Sequence, residues 1–250
     1  MATRTPEFGR TYVVRPRGKH QATIVWLHGL GENGLSTINL FFQLSMNVLL
    51  IQVKWICPTA PTRPVALFGG FACTAWFDVG DLSEDGPGDW EGLDASAAHI
   101  ANFLSAEPTD VKVGIGGFSM GSAAALYSAV CWATSKFGNG TAYPIDLRAV
   151  FCLSGWLPCP RNLCYKVQCS AEAKRRAASL PLWISHGTCD NIVPYIHGEK
   201  SARYLSSAGF RNLTFKSYDE IGHYTIPKEM ADICSWLVTN TKLGLNGGHS

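Results

Sequence analysis

The sequence predicts an α/β domain with a mostly parallel central sheet and helices on both faces. Three observations carry that prediction. Short apolar segments rich in β-branched and aromatic residues recur along the chain, and segments with helical apolar spacing lie between them. Several of the short segments are continuously apolar rather than alternating, as strands covered on both faces are.

The candidate strands, in chain order, are Tyr12–Val14, Thr23–Leu27, Gln52–Ile56, Lys112–Gly116, Ala149–Leu153, Leu182–Ser185 and Leu213–Ser217. A helix is expected from Asp89 to Ala106, where Leu93, Ala97, Ile100 and Leu104 share a face, the first turn is acidic and Pro108 follows the end. A second runs from Ser119 to Thr134 and is rich in small residues. A third, Pro194 to Ala208, opens on proline and stops at Gly209. A fourth, Pro227 to Val238, aligns Met230, Ile233, Cys234 and Leu237 on one stripe. Between Pro58 and Gly88 the chain is rich in proline and glycine, has no clear period, and is apolar at Val65–Phe68, Phe71 and Trp76–Phe77. An irregular stretch of that length reads as a loop lining a site. We expect one domain over residues 1–250, with flexible ends at 1–9 and 244–250.

Composition narrows the function classes. The chain has 250 residues, 46% of them hydrophobic and 16% charged, with a mean hydropathy of +0.05, enough apolar surface for a large core. Lys and Arg number 21 against 19 Asp and Glu, a net charge of +2, and no basic stripe marks a nucleic-acid partner. The short cluster Lys174-Arg175-Arg176 reads as a solvated helix face. No run of about 18 apolar residues suggests a membrane span, and the Arg-rich start has no apolar core of a signal peptide. The nine cysteines, an odd number, read as reduced thiols of a cytoplasmic protein. Cys159, Cys164 and Cys169 lie too far apart for a metal knuckle, so no metal or cofactor is expected.

The chemistry centres on Gly117-Phe118-Ser119-Met120-Gly121, set between a strand and a helix. A serine on such a sharp turn projects Oγ above the sheet, and the flanking glycines permit backbones to approach closely. The helix N-terminus adds orphan N–H groups at the same place. A serine hydroxyl needs a base. Sheet-based hydrolases order their residues Ser, acid, His along the chain, which selects His223 as base and Asp190, after the strand Leu182–Ser185, as the orienting acid. Asp219 and Glu220 are nearer to His223 in sequence but read as solvated loop carboxylates. An oxyanion needs two donors. The N–H groups of Met120 and of Leu30, in the turn His28-Gly29-Leu30-Gly31, are the candidates, and His28 reads as a brace for that turn.

His28-Gly29-Leu30-Gly31, Trp76-Phe77-Asp78, the Ser119 motif, Leu153-Ser154-Gly155-Trp156-Leu157-Pro158, His186-Gly187-x-x-Asp190 and Gly222-His223 together resemble the acyl-protein thioesterase / lysophospholipase / carboxylesterase family. The match runs from about residue 20 to 238, and Gly222 to Met230 looks most like the plant members. The resemblance implies an α/β-hydrolase fold, a Ser119–Asp190–His223 triad and an oxyanion hole at Leu30 and Met120. It also implies an apolar acyl channel under the irregular loop, onto which Trp76, Phe77 and Trp156 are carried as substrate contacts. Two departures stand out: Met120 replaces a frequent Gln, and Ser122 a frequent Gly. Pro158 to Ala178 matches poorly. The implied substrates are an acylated protein, a lipid or a small ester. Two readings of other classes compete: a non-catalytic receptor on a hydrolase fold, and a cysteine- or metal-based activity at Cys159, Cys164 and Cys169.

Overall fold

A computed structural model describes residues 6–43, 52–84 and 87–241. The chain runs β1 (Tyr12–Val14), β2 (Ala22–Leu27), α1 (Gly34–Gln43), β3 (Val53–Cys57), β4 (Thr62–Val65), β5 (Phe71–Thr74), α2 (Trp90–Ser105), β6 (Lys112–Phe118) and α3 (Met120–Thr134). It continues β7 (Leu147–Leu153), α4 (Pro160–Gln168), α5 (Ala171–Ser179), β8 (Leu182–Gly187), α6 (Tyr195–Ala208), β9 (Leu213–Tyr218) and α7 (Pro227–Thr241). Seven strands form one sheet in the order β1-β3-β2-β6-β7-β8-β9. Only β1 is antiparallel to its neighbour. All seven expected strands are in this sheet, displaced at their ends by up to two residues.

Alternate residues of the central strands feed two cores. Val25 and Leu27 of β2, with Val150 and Cys152 of β7, face the layer made by α2, α3 and the α4–α6 segment. Ile24 and Trp26, with Phe151 and Leu153, face α7 and Ile38 of α1. Both faces are covered, which is why these strands read as unbroken apolar runs. Helix α3 lies deepest: every residue from Met120 to Ala133 is buried, so small side chains replace an amphipathic stripe.

Three expectations are corrected. The stretch 58–88 is not wholly irregular, because β4 and β5 pair as an antiparallel hairpin from Thr62↔Thr74 to Val65↔Phe71. Asp89 straps it down: Oδ1 caps α2 at the Gly92 N–H, while Oδ2 accepts from the Asp78 N–H and pairs with Arg63. The N-terminal end is held by residue 8, since Phe8 stacks on His99 at 3.6 Å and the Gly9 N–H bonds the Thr59 carbonyl. Residues 1–5 and 244–250 of the expected flexible ends lie outside the described residues. Helices α1, α4 and α5 were not anticipated. Cys159, Cys164 and Cys169 fall before, within and after α4, with Cys164 buried and Cys169 exposed.

At the start of α7 the Glu229 carboxyl is buried, accepts from Ser185 Oγ at 2.6 Å and takes the Ile226 N–H. Burial is the main cause that raises its pKa from 4.5 to about 7. Folding therefore favours the protonated acid, and the unfolded chain ionises first. The stability this residue contributes is complete below pH about 4.5 and is lost as pH rises through about 7. Glu229→Gln keeps the hydrogen bonds without the charge. Denaturant titrations are expected to find the variant equal to the parent near pH 4.5 and more stable at pH 8 by up to about 3 kcal/mol. A difference independent of pH would refute this account.

Candidate active site

The ends of β2, β6, β7, β8 and β9 meet on one rim because the strands run parallel in register. Leu27 is level with Gly117, Phe118 with Leu153, Leu153 with Ser185, and Gly187 with Tyr218. Ser119, the first residue beyond β6, has φ 54° and ψ −122°. That is a costly conformation for a side chain with a Cβ, of order 1–3 kcal/mol. Two features hold it. The Ser119 N–H bonds the Leu153 carbonyl at 2.9 Å, and α3 begins at the next residue. Glycine does the rest. A Cβ on Gly117 would sit 2.4 Å from the Gly121 carbonyl carbon, and one on Gly121 would sit 2.1 Å from the Leu27 carbonyl oxygen. Ser122 is more than tolerated where glycine is frequent. Its Oγ lies 2.6 Å from the Gly117 carbonyl and 2.7 Å from the Leu153 carbonyl, and accepts the Leu153 N–H at 2.8 Å.

His223 Nε2 lies 2.9 Å from Ser119 Oγ, and His223 Nδ1 lies 2.7 Å from Asp190 Oδ2. A carboxylate accepts, so Nδ1 carries the proton and Nε2 is free to accept from the serine hydroxyl. Asp190 is itself fixed: Oδ1 accepts the N–H groups of Ile192 and Val193 at 3.0 and 2.9 Å. The loops bearing acid and base are laced together by Cys189 N–H to Ile221 O and Glu220 N–H to Thr188 Oγ1. Asp219 and Glu220 are exposed and point their charges to solvent.

The turn after β2 is braced as the sequence suggested. His28 Nε2 accepts the Ala60 N–H at 3.0 Å and Nδ1 donates to the Gly29 carbonyl at 2.7 Å, so the ring is neutral, and burial lowers its pKa to about 4. The Gly29 N–H is taken by Glu32 Oε2 and the Gly31 N–H by the Thr74 carbonyl. Leu30 N–H lies between these committed donors. The turn is close to the serine, since a Cβ on Gly29 would touch Ser119 Cβ at 3.4 Å. The Met120 N–H, in the first turn of α3, has no intrahelical acceptor. The Met120 side chain is buried in the core.

The three aromatic candidates separate. Phe77 and Trp156 meet edge to face at 6.1 Å and line a cavity of about 170 Å³ with Asp78, Leu157 and Cys159. Trp76 does not join them. It is fully buried, and its indole N–H bonds the His28 carbonyl at 2.9 Å, so it supports the turn instead. Sequence reasoning placed His186 in a motif but gave it no role at the site. Its Nε2 donates to the Val193 carbonyl at 2.8 Å and lies 3.3 Å from Asp190 Oδ2, so a second imidazole backs the acid. The ring is fully buried, which lowers its pKa, and Gly198 leaves room for it: a Cβ there would lie 2.3 Å from Nδ1. Its sequence signal was the spacing His186-x3-Asp190 across a strand end.

A family model described as Phospholipase/Carboxylesterase matches residues 9–241. The chain belongs to that family. A crystal structure of Zea mays acyl-protein thioesterase 2 is 59% identical with a TM-score of 0.88, over 93% of this chain and 99% of that one. Acyl-protein thioesterase 1 homolog 1 of Dictyostelium discoideum is 30% identical over 92% of this chain and 95% of its own length. Arabidopsis thaliana SOBER1 is 28% identical with a TM-score of 0.72, covering 88% and 99%. The chain is therefore a serine hydrolase with the α/β-hydrolase fold, as the sequence resemblance implied. Among the described residues no helix is long and apolar enough to cross a membrane.

The close packing of this family member predicts its weakest point. Gly121→Ala places a methyl against the Leu27 carbonyl, and overpacking of that kind costs about 1–3 kcal/mol. Calorimetry is expected to find a Tm lower by roughly 3–10 °C. An unchanged Tm would mean that α3 does not depend on this approach.

Proposed function

We propose that the chain cleaves acyl thioesters and carboxylic esters through Ser119, His223 and Asp190, and that its substrates carry a medium to long acyl chain. The observation that carries this is the continuous hydrogen-bonded relay from Ser119 Oγ through His223 to Asp190. His223 Nε2 removes the hydroxyl proton as Oγ attacks the acyl carbonyl. Asp190 holds the tautomer and stabilises the imidazolium. The oxyanion is met by the N–H groups of Leu30 and Met120, worth about 3 kcal/mol each in the transition state. The imidazolium then protonates the leaving atom, and water repeats the sequence on the acyl-enzyme.

The cavity beside Phe77 and Trp156 is assigned to the acyl group. Its volume is about 170 Å³. Chain beyond it meets the β4–β5 hairpin, tied to the cavity wall by Leu67 N–H to Val79 O and Ala66 N–H to Asp78 Oδ1. There Leu67 and Phe68 stand exposed. The same small volume favours a second reading, a short-chain carboxylesterase. Nine free thiols, with Cys169 and Cys189 exposed, suit a reducing compartment, and a cytoplasmic location is proposed on that ground.

Ser119→Ala is expected to abolish turnover in a folded protein. Asp190→Asn should lower kcat by about 10⁴-fold through the wrong tautomer, while Asp219→Asn leaves it unchanged. The reverse pattern would move the acid to Asp219. With thioesters of two to sixteen carbons, kcat/KM should rise up to about six to eight carbons, by at most about fourfold per methylene, and level off. Activity confined to acetyl esters would select the short-chain reading and leave the serine mechanism in place.

A further inference from the structure

Two imidazoles face one carboxylate. Asp190 Oδ2 lies 2.7 Å from His223 Nδ1 and 3.3 Å from His186 Nε2, while Oδ1 accepts two backbone N–H groups. His223 is partly open to solvent, whereas His186, near the end of β8, has no exposed surface. The proton transfers from Ser119 run through His223 alone, so the second ring is present for another reason.

Its tautomer is set by its surroundings. The Val193 carbonyl, 2.8 Å from His186 Nε2, can only accept, so Nε2 holds the proton. That N–H also faces Asp190 Oδ2. Val193 closes the circuit, because its own N–H goes to Asp190 Oδ1. The other tautomer would turn an Nε2 lone pair against both the Val193 carbonyl and the carboxylate. A charged ring is opposed from the far side. Nδ1 is buried with no hydrogen-bond partner among the described residues, and a Cβ on Gly198 of α6 would lie 2.3 Å from it. A proton there would have nothing to bond, and burial lowers the pKa of the ring. A buried acceptor without a partner is unfavourable, and a phenyl ring would avoid it. What the imidazole offers in return is its Nε2–H.

We infer that His186 is a positioning residue for the acid: a neutral donor that turns Asp190 Oδ2 toward His223 and leaves the carboxylate's charge to that ring. The inference rests on the serine-hydrolase mechanism proposed above and adds to it a fourth side chain that acts through Asp190. Rotation of the carboxyl group would break the contacts of Oδ1 and Oδ2 together. When the serine proton reaches His223 Nε2, the imidazolium therefore forms beside a carboxylate already held in place, and no second imidazole takes up charge.

The test is a double-mutant cycle between His186 and Asp190, read with the octanoyl thioester of N-acetylcysteamine. His186→Phe keeps a ring and removes the donor. It should lower kcat by about ten- to a hundredfold, with KM changed less than about twofold. In the Asp190→Asn background the same substitution should cost less than about twofold, because its effect runs through the carboxylate. His186→Gln retains an N–H donor and should lose less than His186→Phe. In proton NMR, the downfield His223 Nδ1–H resonance of the parent should move upfield in His186→Phe. Parent kcat in folded His186→Phe, a loss confined to KM, or losses that multiply in the Asp190→Asn background would overturn the inference. If His186→Phe does not fold, Gly198→Ala takes its place in the cycle, its methyl pressing on Nδ1, and the same outcomes decide. An Asp190→Asn protein with the parent kcat would instead remove Asp190 from the mechanism beneath.

Discussion

Everything at the rim depends on one close approach of three backbones. The turn at Ser119 can form only because α3 starts against the end of β2, where Gly121 lies on the Leu27 carbonyl, and because Gly117 folds back under Gly121. Gly155 closes the third side, where any Cβ would overlap Ser122 Cβ at 2.3 Å. No side chain could be added at these three places without pushing α3 off the sheet. The approach does two things at once. It forces Ser119 into a left-handed conformation that lifts Oγ from the strand, and it sets the first turn of α3, with its unpaired N–H groups, beside that oxygen. The cost of the strained backbone is offset by the large apolar area that α3 buries on all sides.

The buried imidazoles follow from the same economy of space. His28 and His186 lie within the protein, and burial lowers the pKa of each, so they serve as neutral hydrogen-bonding rings. His28 and His186 brace, respectively, the turn after β2 and the acid loop after β8. His223 differs in being partly open to solvent and packed on Phe118 at 4.8 Å. Asp190, His223 and Ser119 come from loops separated by up to 104 residues, and parallel strands bring them together because each loop leaves the same edge.

The sheet and the turn at Ser119 were legible because their signals are local. A continuous apolar run marks a two-sided strand, and glycines around Ser119 mark a close approach. Three helices were missed, although each carries a start signal. Asn33 and Ser36 cap α1 reciprocally, Pro160 opens α4, and Ser170 Oγ accepts the Ala173 N–H at the head of α5. Their apolar faces are short, so periodicity overlooked them. The hairpin within 58–88 escaped because Pro64 and two adjacent glycines read as loop. In fact Gly69 and Gly70 supply the positive φ its turn requires. Trp76 was misassigned for a different reason. The resemblance carried two adjacent aromatics over together, and the bend they occupy gives them different partners: the Trp76 indole N–H bonds the His28 carbonyl while Phe77 meets Trp156.

The central claim is that Ser119 alone among the serines is an activated nucleophile, made so by His223. It is tested most directly by reacting the native protein with a fluorophosphonate and locating the adduct by peptide mass spectrometry. One adduct on Ser119, absent after denaturation and absent from a folded His223→Ala variant, is the expected result. An adduct on another residue, or none in protein that still cleaves esters, would contradict the account.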